Sequence, residues 1–143
     1  MTTRTTTLCA ALTTLVCLPV HGCVEATGGA VEVSWSLRDV GGEGTTCDDA
    51  RIGEIQLFWQ VGTRTRADAW ACDEGRGVTG FDLEPGPVSL WLEPSCADGP
   101  VTPGSFRTPP LIVRTITEGE VITLDTQLVE VRAQDCGDTC TCP

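Results

Sequence analysis

Residues 31–37, Val-Glu-Val-Ser-Trp-Ser-Leu, alternate apolar and polar side chains and put Val31, Val33, Trp35 and Leu37 on one face. A second run from Glu54 to Val61 does the same, with Ile55, Leu57, Trp59 and Val61 opposed to Glu54, Gln56, Phe58 and Gln60. Alternation at every residue is the period of a pleated strand with one dry and one wet face. Half-buried strands of this kind belong to antiparallel sheets. No stretch after residue 22 sustains the 3.6-residue spacing of a helix. The apolar face of one sheet therefore has to be covered by another sheet.

The rest of the chain supplies further short strands and their punctuation. Gly62–Arg66 reads as a hairpin connection and Ala67–Cys72 as its returning strand. After the turn cluster Asp73–Gly77, Val78–Leu83 is expected as a strand, Glu84–Pro87 as a turn and Val88–Leu92 as the return, with Val88, Leu90 and Leu92 inward. Pro94–Phe106 reads as a long loop. Pro109 and Pro110 delay the next strand to Leu111–Ile116. Val121–Arg132 is expected as a last strand, bent or bulged midway. The expected class is all-β, a single antiparallel β-sandwich of about seven strands, immunoglobulin-like or transthyretin-like.

Two segments sharpen that expectation. Residues 81–90, Phe-Asp-Leu-Glu-Pro-Gly-Pro-Val-Ser-Leu, and 116–124, Ile-Thr-Glu-Gly-Glu-Val-Ile-Thr-Leu, resemble the hairpin and strand entry of carboxypeptidase-regulatory-like, transthyretin-like sandwich domains. The resemblance implies that Phe81 and Leu83 enter the core, Pro85 and Gly86 turn the chain, and Leu90 returns to the core. The chain departs from the pattern at Pro87 and in its extra cysteines. Such domains have no single activity, because fold does not fix function.

The N-terminus sets the compartment. Arg4 in an acid-free start, followed by the apolar run from Leu8 to Val20, has the layout of a secretory signal, too short for a permanent membrane span. Val20-His21-Gly22-Cys23 resembles a bacterial lipobox, although His21 is an unusual occupant. The resemblance implies cleavage before Cys23, a diacylglyceryl thioether on its sulfur and acylation of its amine, which together hold a protein on a membrane. It places the chain in the bacterial cell envelope, on the outer membrane if the source is Gram-negative. Plain secretion is the competing expectation, since Val20 and Gly22 also suit ordinary signal peptidase. The layout is then 1–22 signal, 23–29 lipidated tether, 30–132 sandwich and 133–143 cysteine-rich tail.

Cysteine parity agrees with lipidation. Cys9 and Cys17 leave with the signal, and acylation of Cys23 leaves six: Cys47, Cys72, Cys96, Cys136, Cys140 and Cys142. An even set in an exported chain reads as disulfides. The expected pairing is Cys47–Cys72, with Cys96 joined to one of the last three and the other two paired; a Cys140–Cys142 bridge is disfavoured by ring strain. The same tail beside Asp135 and Asp138 also admits a thiolate metal or redox site, but no His completes one, and disulfides are the default.

Charge and missing residue types exclude more. Arg4 is the one of nine basic residues that precedes Cys23, and all 20 acids follow it, so the cleaved chain carries about −12. Such a polyanion has no means of releasing phosphate counterions, which excludes nucleic acid as a partner. The chain has no Lys, Tyr or Asn, and its one His is His21. Histidine triads, Cys–His pairs, Schiff-base lysines and His-ligated zinc are therefore closed to the cleaved chain. The acid pairs Asp48–Asp49 and Asp73–Glu74 lack the spacing of a calcium loop, and short loops build no cleft for paired-carboxylate hydrolysis. The expectation is no catalytic residue, no cofactor and no resident metal.

The aromatics divide by phase. Trp35 and Trp59 share their strands' aliphatic face and belong in the core. Phe58 and Trp91 are out of phase and fall on the opposite face, where they either stack on a sugar ring or partner, or lie under the long loop or tail. Trp70 is undecided. The preferred functional expectation is a non-catalytic envelope lipoprotein, a binding or structural module held to a membrane and meeting an envelope protein or glycan. A secreted carbohydrate- or peptide-binding domain using Phe58 and Trp91 is second, and a thiolate metal or redox protein third.

Overall fold

The structure, a computed structural model, describes residues 27–132. The signal segment, Cys23, and the tail cysteines Cys136, Cys140 and Cys142 lie outside the described residues. The strands are β1 (Ala30–Asp39), β2 (Ile52–Val61), β3 (Arg64–Ala71), β4 (Arg76–Val78), β5 (Gly86–Cys96), β6 (Phe106–Arg107), β7 (Ile112–Ile116), β8 (Val121–Thr123) and β9 (Gln127–Val131), with a 3-10 turn at Cys72–Glu74. They form two sheets that pack face to face as an all-β sandwich. One has the order β4-β1-β9-β6 with β8 also on β1; the other is β3-β2-β5-β7.

The core is the set of side chains selected by alternation. Val31, Val33, Trp35 and Leu37 from β1 meet Ile55, Leu57 and Trp59 from β2 and Val88, Leu90 and Leu92 from β5, all buried. Both indoles keep a partner for the buried N–H, as burial demands. Trp35 Nε1 donates to the Cys72 carbonyl at 2.8 Å, and Trp59 Nε1 donates to Asp68 Oδ2 at 3.0 Å. Trp70 is paired with Ile55 and faces inward at the sandwich edge. Its ring lies 6.3 Å from that of Trp35 and directly against Gly77 of β4.

The second sheet is antiparallel throughout. Its first hairpin is tighter than the sequence suggests: Val61 pairs with Arg64, so only Gly62 and Thr63 form the loop. Gly62 has φ of 58°, as the first position of a type II′ turn requires. β3 therefore starts three residues earlier than Ala67. β5 carries two prolines, Pro87 and Pro94, which a doubly flanked strand would not tolerate. The register explains them: Pro87 pairs only with β7 and Pro94 only with β2. Each proline thus has one side of the strand free of a partner, and β5 runs on through Pro94 to Cys96 where a loop was expected.

The first sheet departs from simple antiparallel order. Val121–Arg132 is one strand broken midway, as expected, with β8 and β9 lying end to end along β1. Both run parallel to β1, because the chain crosses from β7 at the end where β1 begins. Between them Leu124 turns into the core and its N–H donates to Glu32 O at 2.8 Å.

The expected strand Val78–Leu83 and its hairpin to Val88–Leu92 are not formed. β4 ends at Val78 and pairs with β1, whereas β5 belongs to the other sheet. The segment between them crosses the sandwich. Thr79 Oγ1 accepts the Val31 N–H at 3.0 Å, which takes a ladder position from the backbone. Leu83 bridges Gly29 through both its N–H and C=O. Leu83 and Leu90 are fully buried, but Phe81 is 42% exposed and not in the core. Only Leu83 is drawn inward, because its backbone is pinned to Gly29, and Phe81 two residues earlier is left outside. The Pro94–Phe106 loop is also shorter than expected, since Phe106–Arg107 forms β6 against β9.

Candidate functional site

The strands run between two chemically different ends. At one end the chain enters through Gly28 and Gly29 between Leu83 and the turn at 117–120: Gly29 N–H donates to Leu83 O, Ala30 N–H to Glu120 O and Gly119 N–H to Gly28 O. A Cβ on Gly28 would stand 2.4 Å from the Leu83 carbonyl oxygen, so only glycine fits this entry. At the other end Cys47, in the loop after β1, is bridged to Cys72, at the end of β3. The bridge joins the β1–β2 connection to the β3–β4 connection, with Cys72 buried in the core. Cys96 is also held in a disulfide. The expected pairing of Cys47 with Cys72 is therefore present; pairings among Cys136, Cys140 and Cys142 concern residues outside the description.

On the outer face of the second sheet, Phe58 of β2 and Trp91 of β5 are directly paired across the strands. Their rings stack with centroids 5.4 Å apart and planes 11° from parallel. At that distance two rings cannot lie side by side in one plane, so they stand up from the sheet with faces turned to each other. Both are half-buried. Trp91 Nε1 donates to Glu93 Oε1 at 2.8 Å, which fixes the indole from the same face. The stack is a preformed apolar ridge.

The register extends the ridge in both directions. Ala67 of β3 lies beside Phe58, and Val113 of β7 pairs with Ser89, one row from Trp91. By the same alternation Leu111, just before β7, faces outward next to Trp91. Val113 and Leu111 are 59% and 54% exposed. Sequence reading found Phe58 and Trp91 but not these neighbours. Their own phase was readable once Ile112 and Ile116 are taken as inward; the register that sets them beside Trp91 was not.

A second concave feature sits at the β2–β3 hairpin. Trp59, Val61, Arg64, Arg66, Asp82 and Glu84 line a notch of about 50 Å³. Arg64 pairs with Glu84 at 3.1 Å and Arg66 with Asp82 at 3.7 Å, while the Arg66 guanidinium lies 5.5 Å from the Trp59 ring centroid. Small-molecule sites are several-fold larger, about 300–1,000 Å³, and both cations already have their carboxylates. The notch is an ion-paired edge of the sandwich. Beside the Cys47–Cys72 bridge a broader hollow is lined by Thr46, Asp48, Ile52, Asp73 and Ala97. Among the described residues no group of three His, Cys, Asp or Glu side chains is placed to hold a metal ion. Asp49 is engaged locally, accepting from Thr46 Oγ1 at 2.7 Å.

Compared with protein-family models and with curated proteins, the chain matches none.

Proposed function

We propose that the chain is a non-catalytic lipoprotein of the bacterial cell envelope, anchored through Cys23, whose sandwich is a disulfide-stapled binding module. The observation that carries this reading is the Cys47–Cys72 bridge at the edge of the core. A structural disulfide belongs to an oxidising compartment, in keeping with the signal-like N-terminus and Val20-His21-Gly22-Cys23. The non-catalytic reading rests on composition, since the cleaved chain would have neither imidazole nor lysine amine. The resemblance to carboxypeptidase-regulatory-like domains rests on residues 81–90 and 116–124 alone, and the exposed Phe81 and the absent hairpin count against it. The test is metabolic labelling of the full chain with a palmitate analogue in a bacterial host. Label is expected on the intact protein and lost in Cys23→Ser; a free thiol at Cys23 in the processed chain would defeat the lipoprotein reading.

A second reading, a secreted carbohydrate- or peptide-binding domain, is favoured by the Phe58–Trp91 stack. It shares the binding surface and differs in the anchor, so the labelling experiment separates the two. The thiolate metal reading is weakened by Cys96, whose sulfur is already in a disulfide.

A further inference from the structure

We propose that the outer face of the β3-β2-β5-β7 sheet docks a polypeptide segment with an apolar stretch and a cationic flank on one side of it, seated on the Phe58–Trp91 ridge. The proposal rests on the reading of the chain as a binding module and names the chemistry of its partner. Three observations carry it.

The first is shape. The two rings are stacked on each other and held by the Trp91–Glu93 hydrogen bond, so the ridge needs little ordering when a partner arrives, which reduces the cost of binding. The second is exposure on the same face. Leu111 and Val113 leave more than half of their surface in water, continuing the apolar strip from Trp91 to the sheet edge. Contiguous apolar surface of this kind marks interaction sites.

The third is charge. Among the outward positions of the paired strands, the ionised side chains are Glu54 and Glu93, both exposed. The ion pairs of the described residues join Arg51 to Asp98, Arg64 to Glu84, Arg66 to Asp82 and Arg132 to Glu130. Neither Glu54 nor Glu93 takes part in them. Arg114, on the edge strand, donates from Nη1 to the Val113 carbonyl at 3.0 Å. Both acids lie on the same side of the ridge, since Glu93 pairs with Gln56 and Glu54 with Ser95. An apolar ridge with two such acids at one side is complementary to an apolar stretch followed by Lys or Arg on that side, and charge complementarity both steers encounter and rejects acidic competitors.

A sugar fits this face less well. Each ring has one face turned to the other, the Gln60 amide is donated to the Gly62 carbonyl at 3.1 Å, and Leu111 and Val113 offer hydroxyl groups nothing.

The experiment uses the intact chain and three probes, read by titration calorimetry. They are a ten-residue peptide with an apolar stretch followed by three arginines, the same peptide with glutamates for arginines, and a soluble β-linked glucose hexasaccharide. The arginine peptide is expected to bind and the glutamate peptide not to. Glu54→Gln with Glu93→Gln should weaken it about tenfold, roughly threefold per carboxylate, and Trp91→Ala tenfold or more. Neutralising Glu118 and Glu120, at the far turn, should change nothing. Because Trp91→Ala alters packing and Glu93 also holds the Trp91 indole, Glu54→Lys is the second variant: Glu54 is exposed and outside the stack, and the change should weaken the arginine peptide and strengthen the glutamate peptide. The proposal is overturned if the two peptides bind alike, if the Glu118 and Glu120 changes weaken binding as much, or if the hexasaccharide alone binds and does so through Trp91. Failure of palmitate labelling bears on the anchor only, so the two readings fail separately.

Discussion

Removing the Cys47–Cys72 bridge tests how the sandwich is held at the end away from the chain entry. The perturbation is the double variant Cys47→Ala/Cys72→Ala, which leaves no unpaired thiol to attack the Cys96 disulfide. The bridge closes a sequence separation of 25 residues that contains all of β2 and β3. On the chain-entropy relation, a loop of that length costs the unfolded chain about 12 cal/mol/K, or about 3.5 kcal/mol at 25 °C. Losing the buried Cys72 sulfur adds a cavity contribution of about 1 kcal/mol. Domains near this size have a total stability of about 5–15 kcal/mol, so the variant should lose between a quarter and most of it. In urea, with a slope of about 2 kcal/mol/M, the midpoint should fall by roughly 2 M. In a thermal scan it should fall by about 15–20 °C. Tryptophan emission is a suitable probe, since the Trp35 indole donates to the Cys72 carbonyl. A urea midpoint within about 0.5 M of the parent, from a cooperative transition with unchanged slope, would refute the assignment of this bridge as the main restraint on the loop.

Three further outcomes follow from packing. Gly77→Ala would place a Cβ 2.1 Å from the Trp70 ring; a loss of about 1–3 kcal/mol is expected, with Trp70 emission shifted to the red and the loss smaller in a Trp70→Ala background. Thr79→Val removes the hydroxyl that accepts the Val31 N–H at a buried site and should cost about 1–3 kcal/mol, whereas Thr79→Ser, which keeps the acceptor, should cost clearly less in the same denaturation series. Leu90→Ala, at a fully buried position on β5, should cost about 2–5 kcal/mol by calorimetry; an effect under about 1 kcal/mol would mean that the two sheets do not close over it.

The core was legible in the sequence because alternation fixes which face of a strand is dry without any knowledge of its neighbours. Val31 to Leu37, Ile55 to Trp59 and Val88 to Leu92 were identified on that basis, and the same parity put Phe58 and Trp91 outside. Partnership between strands was not legible. Nothing in residues 78–92 indicates that the chain changes sheets there, since the Pro85–Gly86 turn suits a hairpin and a crossover equally. The crossover is set by Gly29 and Val31, more than forty residues earlier, whose backbone groups bond to Leu83 and Thr79. The prolines of β5 misled for a related reason. Pro94 reads as a strand end, yet it sits where β7 no longer covers β5, and only register reveals that gap. The docking face has the same history: its two aromatics carry a local signal, Leu111 and Val113 join them only through pairing, and Glu93 joins because β5 runs on past Leu92.

The orientation of that face on a membrane follows from the chain's entry. On the lipoprotein reading three residues, Val24 to Ala26, separate the acylated Cys23 from Thr27, a reach of about 10–14 Å when extended. The entry itself is stiff, with Gly28, Gly29 and Ala30 hydrogen-bonded between Leu83 and the 117–120 turn. The strands then lead away from the anchor toward the Cys47–Cys72 end. Phe58 lies three residues from Val61 at the anchored end of β2, about 10 Å up a strand. On that reading the aromatic ridge can stand no further than about 25 Å from the lipid. On the same reading the acidic pair, Glu93 and then Glu54, lies on the side of the ridge away from the chain entry, so a partner's cationic flank would meet it on the side away from the lipid. At the end away from the entry, the bridge closes the segment that holds β2 and β3.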